Sequence, residues 1–237
     1  MSSTKKKDIP FLSDKPYDFN WDKPLVERKL YYKSWLPLAH VLINHEFESL
    51  DFYGLENIPQ DGPFILIANH VNGFDPITMV YGMRARRCCY FMAKEAFFRT
   101  FYIRPLLESL GGFPVKRGTA DRDAMKFAKR VCEDGRFGLV MFPQGTRDRE
   151  RKRPELDTAS NGFVMVARES RVPVSPASIH LDSDLSKKHP KCVVRVGAPI
   201  SYEEMGFTPG SRKKKELNAA AELVWGKVQE LWDMDEM

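Results

Sequence analysis

The 237 residues are 43% apolar and 29% charged, a balance that fits one globular domain rather than a disordered or membrane-spanning chain. No run approaches the roughly 18 consecutive apolar residues that a bilayer-spanning helix needs; the best, Trp35 to Ile43, is interrupted by Pro37 and His40. The net charge is only +5, yet from Arg84 to Arg153 18 Lys and Arg stand against 8 Asp and Glu, which points to an anionic partner: a phosphorylated substrate, an acidic lipid surface or nucleic acid.

In chain order, residues 1–22 are polar, carry Pro10 and Pro16, and read as a flexible arm. Lys5, Lys6 and Lys7 are not followed by the apolar stretch of a secretory signal. Residues 23–50 read as an N-terminal helical region. Pro24 suits a first helical position, and Leu30, Tyr31, Trp35, Leu38, Leu42 and Ile43 keep approximate helical spacing. Pro37 is expected to kink or split this helix. With Arg28, Lys29 and Lys33 among aromatics, the region is either an interfacial helix resting on a membrane or a helical hairpin packed on the main domain.

Residues 51–237 alternate. Strand-like runs fall at Phe64–Ala68, Cys89–Ala93, Gly112–Val115, Gly138–Phe142, Val174–Ile179 and Cys192–Val196. Helix-like stretches fall at Ile77–Met83, Glu95–Leu110 (broken near Pro105), Asp121–Glu133, Thr158–Ser170 and Lys213–Trp232. Such alternation predicts an α/β sheet covered on both faces. The cysteines, Cys88, Cys89, Cys132 and Cys192, form no C-x-x-C pair, so neither a disulfide framework nor a zinc site is indicated.

Of five histidines, His70 is the most telling. It directly follows the apolar run F-I-L-I-A-N, at a predicted strand end, where open α/β sheets place their ligands. Asp75 lies five residues on, in N-H-V-N-G-F-D-P, and Gly73 frees the intervening turn. A carboxylate on an imidazole sets its tautomer and stabilises its cation, making it a competent base for a hydroxyl. Asp75 before Pro76 is equally a good helix N-cap, and one carboxylate can serve both roles.

Three further blocks follow. G-G-F-P-V-K-R-G presents Lys116 and Arg117 at a strand end, suited to a phosphate monoester. F-P-Q-G-T-R, Phe142 to Arg147, offers Gly145, the Thr146 hydroxyl and the Arg147 guanidinium for phosphate or a developing oxyanion. V-P-V-S-P-A-S-I, Val172 to Ile179, reads as a buried strand. No G-x-S-x-G elbow, P-loop or strand-linked G-x-G-x-x-G occurs, and without a credible Ser or Cys nucleophile near a base no covalent enzyme intermediate is expected.

Together the four blocks resemble the 1-acylglycerol-3-phosphate acyltransferase (PlsC-like) family, in that family's order; F-M-A-K-E at Phe91–Glu95 is also similar. The resemblance implies an α/β fold with a mixed, mostly parallel sheet flanked by helices. It implies transfer of a fatty acyl group from acyl-CoA or acyl-carrier protein to lysophosphatidate, with no metal and no cofactor beyond that thioester co-substrate. By analogy His70 is the base and Asp75 orients it. Lys116, Arg117 and Arg147 hold the acceptor phosphate, while Asn69, Gln144, Gly145 and Thr146 shape the pocket. Gln144 stands where the family usually carries Glu. The location implied is the cytoplasmic side of a membrane, peripheral or monotopic. Alternatives are acylation of glycerol 3-phosphate or another lysophospholipid, or a non-catalytic lipid-binding relative. Nucleic acid is not an expected partner, because the basic stretch contains no nucleic-acid motif.

Overall fold

A computed structural model describes residues 17–235 except 27–28, 85, 117–118, 120, 156–158, 183 and 212, with the side chains of 29–36 also outside the description. The elements run α1 (Lys29–Glu46), β1 (Ser49–Tyr53), a 3-10 turn (Leu55–Asn57), β2 (Phe64–Ala68), α2 (Asp75–Met83), β3 (Cys89–Lys94), α3 (Glu95–Phe98), α4 (Ile103–Ser109), β4 (Gly112–Val115), α5 (Arg122–Asp134), β5 (Gly138–Met141), α6 (Gly162–Ser170), β6 (Val174–Leu181), β7 (Lys191–Val196) and α7 (Lys214–Trp232).

The seven strands form one sheet in the order β1-β7-β6-β2-β5-β3-β4. All pairings are parallel except β6 with β7. The fold is therefore α/β, with a mixed, mostly parallel sheet flanked by helices and preceded by a helical segment. Five adjacent strands, β6, β2, β5, β3 and β4, point the same way, so their C-terminal ends share one edge.

Side-chain alternation divides the core between the two faces. Ile65, Ile67, Leu139 and Met141 face α5, α6 and α7, whereas Phe64, Leu66, Ala68 and Val140 face α1, α2 and α4. β2 and β5 are buried along their whole length, which is why they read as unbroken apolar runs. Helix α5 shows how each helix is made: Ala124, Phe127, Ala128, Val131 and Cys132 form one buried stripe. The Asp121 carboxylate caps it at the Ala124 N–H, and Gly135 ends it at φ 81°, a cap worth about 1 kcal/mol followed by a left-handed residue that glycine supplies without strain.

Several expectations need correction. The arm was expected to be loose through Asp22, but Phe19 is 3% exposed, packs edge-on against Phe127, and is preceded by Tyr17 stacked on Phe98. Aromatic burial outweighs the polar composition there. Pro24 is not a first helical residue; α1 begins at Lys29. Nor does Pro37 split α1, which runs through it; Pro37 is exposed, so the carbonyl it leaves unpaired one turn earlier can be hydrated. The break in Glu95–Leu110 falls at residues 99–102, and Pro105 stands in the first turn of α4, where no N–H is required. β1 was not anticipated. It begins at Ser49, within the segment assigned to the helical region, and is a half-exposed edge strand with Asp51 at its centre.

None of the four cysteines is in a disulfide. Burial pushes the Cys89 and Cys132 thiols up to about 12. Cys192 is raised well above its usual range by burial and then by the nearby Asp75 and Asp51 carboxylates.

Candidate active site

β2 delivers His70 to the shared C-terminal edge. Its ring Nδ1 lies 2.7 Å from Asp75 Oδ2, and both side chains are buried, at 5% and 0% exposure. The same carboxylate oxygen accepts the N–H groups of Val71 at 2.7 Å and Asn72 at 2.9 Å. Three donors on one oxygen offset the desolvation of a buried charge; the other oxygen, Oδ1, is buried without a partner.

The capping role considered for Asp75 is not the one observed. Phe74 occupies the N-cap of α2 and no side chain caps it. Asp75 is instead the first helical residue, and its carboxylate turns back into the preceding loop. It still lies at the positive end of the helix dipole, which favours its charge.

The segment after β5 closes around His70 because β5 is hydrogen-bonded to β2. Gln144 Oε1 accepts the His70 N–H at 2.7 Å, and the Asp148 N–H donates to the His70 carbonyl at 2.8 Å. Phe142 sets its ring 4.8 Å from the imidazole. Gln144 thus acts through an acceptor oxygen, a task needing no negative charge. Gly145 takes φ 65° in this turn. Arg147 is exposed and reaches back over the His70 loop: a Cβ built on Gly73 would lie 2.9 Å from its Nη1. A side chain at position 73 would displace the end of the Arg147 side chain from this position. Thr146 is exposed beside it.

The Asn69 amide is 1% exposed and both ends are used on Ile179, donating to its carbonyl at 2.8 Å and accepting its N–H at 2.7 Å. It extends the β2–β6 pairing past the strand end. Lys116 follows β4 and is exposed, its N–H held by Asp121 Oδ2 at 2.8 Å. β4 is three strands from β2, about 14 Å at ordinary strand spacing. Arg117, its proposed companion, lies outside the described residues. Among the described residues no group of three or more His, Cys, Asp or Glu could hold a metal ion.

Four contributors escaped the sequence reading: Glu46, Asn72, Phe142 and Asp148. Asn72 lies inside the motif, so proximity to His70 and Asp75 was a usable signal for it. Glu46, whose Oε1 accepts from Asn72 Nδ2, carried none, since the two residues are 26 apart in the chain.

A family model described as Acyltransferase matches residues 49–180, more than half of the 237 residues. The chain belongs to this acyltransferase family. It is 24% identical over 162 residues to the 1-acyl-sn-glycerol-3-phosphate acyltransferase of Streptococcus pneumoniae, covering 68% of this chain and 58% of that protein. It is 31% identical over 131 residues to the protein of the same name from Borreliella burgdorferi, covering 54% and 49%. The chain thus spans about half the length of the curated relatives it matches. Its fold is similar to the crystal structure of the 1-acyl-sn-glycerophosphate (LPA) acyltransferase, PlsC, from Thermotoga maritima, with TM-score 0.60, 25% identity, and coverage of 86% of this chain and 80% of that one.

Proposed function

We propose that the protein transfers a fatty acyl group from acyl-CoA or acyl-carrier protein to the hydroxyl of lysophosphatidate, giving phosphatidate. The observation that carries this reading is the 2.7 Å contact between His70 Nδ1 and the buried Asp75 carboxylate at the edge where the parallel strands end. A carboxylate can only accept, so Nδ1 donates and Nε2 is left as the basic nitrogen. Nε2 takes the proton of the acceptor hydroxyl while that oxygen attacks the thioester carbonyl. Collapse of the tetrahedral adduct breaks the C–S bond, and the imidazolium returns the proton to the departing thiolate. Ester and free thiol are the products. The chemistry calls for no metal: a thiolate leaves readily, and one positioned base plus substrate alignment supplies the catalysis.

The acceptor phosphate is assigned to Arg147 with Lys116 and Arg117, and Gly145 and Thr146 shape the same pocket. Arg147 stands closest to the His70 loop of the two that are described. Arg147→Ala is expected to raise the KM for lysophosphatidate roughly 10-fold, as loss of one charge-assisted contact implies, with kcat nearly held. An unchanged KM in initial-rate measurements removes Arg147 from the phosphate site. The acceptor itself is tested by incubating one long-chain acyl-CoA with lysophosphatidate, glycerol 3-phosphate and other lysophospholipids and weighing the products. Phosphatidate is expected, and acylated glycerol 3-phosphate as the main product would replace the acceptor. Substituting acyl-carrier protein for CoA in the same assay identifies the donor.

Attachment to the cytoplasmic side of a membrane, peripheral or monotopic, is part of this proposal. No described helix is long and apolar enough to cross a membrane. Helix α1 instead presents Leu38 and Val41 outward, 40% and 62% exposed, and the α3–α4 turn on the same face of the sheet presents Phe101 at 80%. Such apolar side chains gain by entering the lipid interface. Replacing Leu38, Val41 and Phe101 together by Asp is expected to weaken sedimentation with anionic liposomes by roughly 10-fold or more. Undiminished sedimentation rules out this face.

A further inference from the structure

Asn72 is held from three directions. Its N–H donates to Asp75 Oδ2 at 2.9 Å, its Oδ1 accepts the Phe74 N–H at 2.8 Å, and its Nδ2 donates to Glu46 Oε1 at 2.7 Å. The first two bonds are local and shape the turn. The third leaves the loop altogether, because Glu46 is the last residue of α1.

The His70 end of the turn is fixed by Gln144 and Asp148 and the Asp75 end by α2, whereas the middle of the turn, at Asn72, is tied to a separate helix through Glu46. Exposed Gly73 follows Asn72, and glycine offers no side chain to resist pivoting. Pivoting matters, because the Val71 and Asn72 N–H groups aim the oxygen that meets His70 Nδ1. The location of Glu46 is also not explained by helix stability. A carboxylate at a helix C-terminus faces the negative end of the dipole and is disfavoured there. Its compensation is the bond to Asn72. Helix α1 is a solid anchor for it, since Ile43 is buried at 2% and Phe47 just beyond at 4%, and His40 meets Tyr81 of α2 at 3.0 Å.

We propose that Glu46 and Asn72 are positioning residues for the His70–Asp75 pair: α1 clamps the loop through this one hydrogen bond, and so keeps the Asp75 carboxylate in line with the imidazole. The inference rests on His70 acting as the base. It also makes the end of α1 part of the catalytic apparatus, with Glu46 acting through Asn72.

Donor and acceptor can be exchanged to test it. Glu46→Gln keeps an acceptor oxygen and is expected to retain kcat within about twofold. Glu46→Ala removes the acceptor and is expected to lower kcat roughly 10-fold, as a misaligned pair does, with both KM values nearly unchanged. Asn72→Asp sets two carboxylates against each other and is expected to be worse than Glu46→Ala. The double variant Glu46→Gln/Asn72→Asp restores a bond of reversed polarity and is expected to recover most of the Asn72→Asp loss. An activity-independent reading comes from proton NMR. The imidazole Nδ1–H signal of His70 is expected to persist in wild type and Glu46→Gln and to broaden by exchange in Glu46→Ala and Asn72→Asp.

Wild-type kcat in Glu46→Ala, a change confined to KM, or no recovery in the double variant overturns the inference. So does a sharp imidazole signal in all four proteins. These outcomes are separable from failure of the functional reading. If His70→Ala stays active the base assignment falls and takes the clamp with it, whereas an inactive His70→Ala beside an unaffected Glu46→Ala overturns the clamp alone.

Discussion

Replacing His70 by alanine is expected to lower turnover roughly 10²–10⁴-fold while leaving the protein folded. The survival of the fold follows from which atoms hold the loops. The bonds to Gln144 and Asp148 are made by the main-chain N–H and C=O of residue 70, which alanine also has. What is lost is the imidazole, its contact with Phe142 and one charge-assisted bond to Asp75. Two backbone donors stay on the carboxylate. The thermal midpoint should therefore fall by only a few degrees, on the order of 1–2 kcal/mol in a domain of this size. Near-normal acceptor-dependent thiol release from purified His70→Ala would eliminate the proposed mechanism. A collapsed circular-dichroism spectrum would instead show that the ring is needed for folding.

Asp75 separates orientation from architecture more sharply. Asp75→Asn keeps an oxygen for the Val71 and Asn72 N–H groups, so the turn should persist. An uncharged amide cannot stabilise the imidazolium or enforce its tautomer, and turnover is expected to fall by about 10²–10⁴-fold. Adding His70→Ala to Asp75→Asn should cost little more, because groups that act as one unit lose their effect together. Losses that multiply in the double variant would show two independent contributions and dismiss the pair as a unit. Asp75→Ala should behave differently in stability. It strands the buried Val71 N–H, at about 1–3 kcal/mol, and the part-buried Asn72 N–H, so its midpoint should drop well below that of Asp75→Asn. Equal midpoints would mean that the carboxylate does not organise the turn.

The motif from Asn69 to Asp75 was legible because everything it does at short range is local. Five residues and a glycine bring the carboxylate of Asp75 back to His70. The inner strands were legible for a related reason: Phe64–Ala68 and Gly138–Met141 are buried on both faces and read as unbroken apolar runs. β1 was not, since Ser49–Tyr53 is half exposed at the sheet edge and its alternation of Leu50 and Phe52 around Asp51 is short. The tie from Asn69 to the Ile179 main chain was not legible, because the two are 110 residues apart.

What composition and periodicity determined is which residues bury and which turn. What only the tertiary structure decided is their company. β5 rather than β3 lies against β2, and this alone puts Gln144, Asp148 and Arg147 around His70 while leaving Lys116 three strands off. Likewise only the docking of α1 brings Glu46 to Asn72. Strands pair through backbone groups that are the same at every residue, so strand order is written in no single segment. It emerges when all the apolar faces are covered at once.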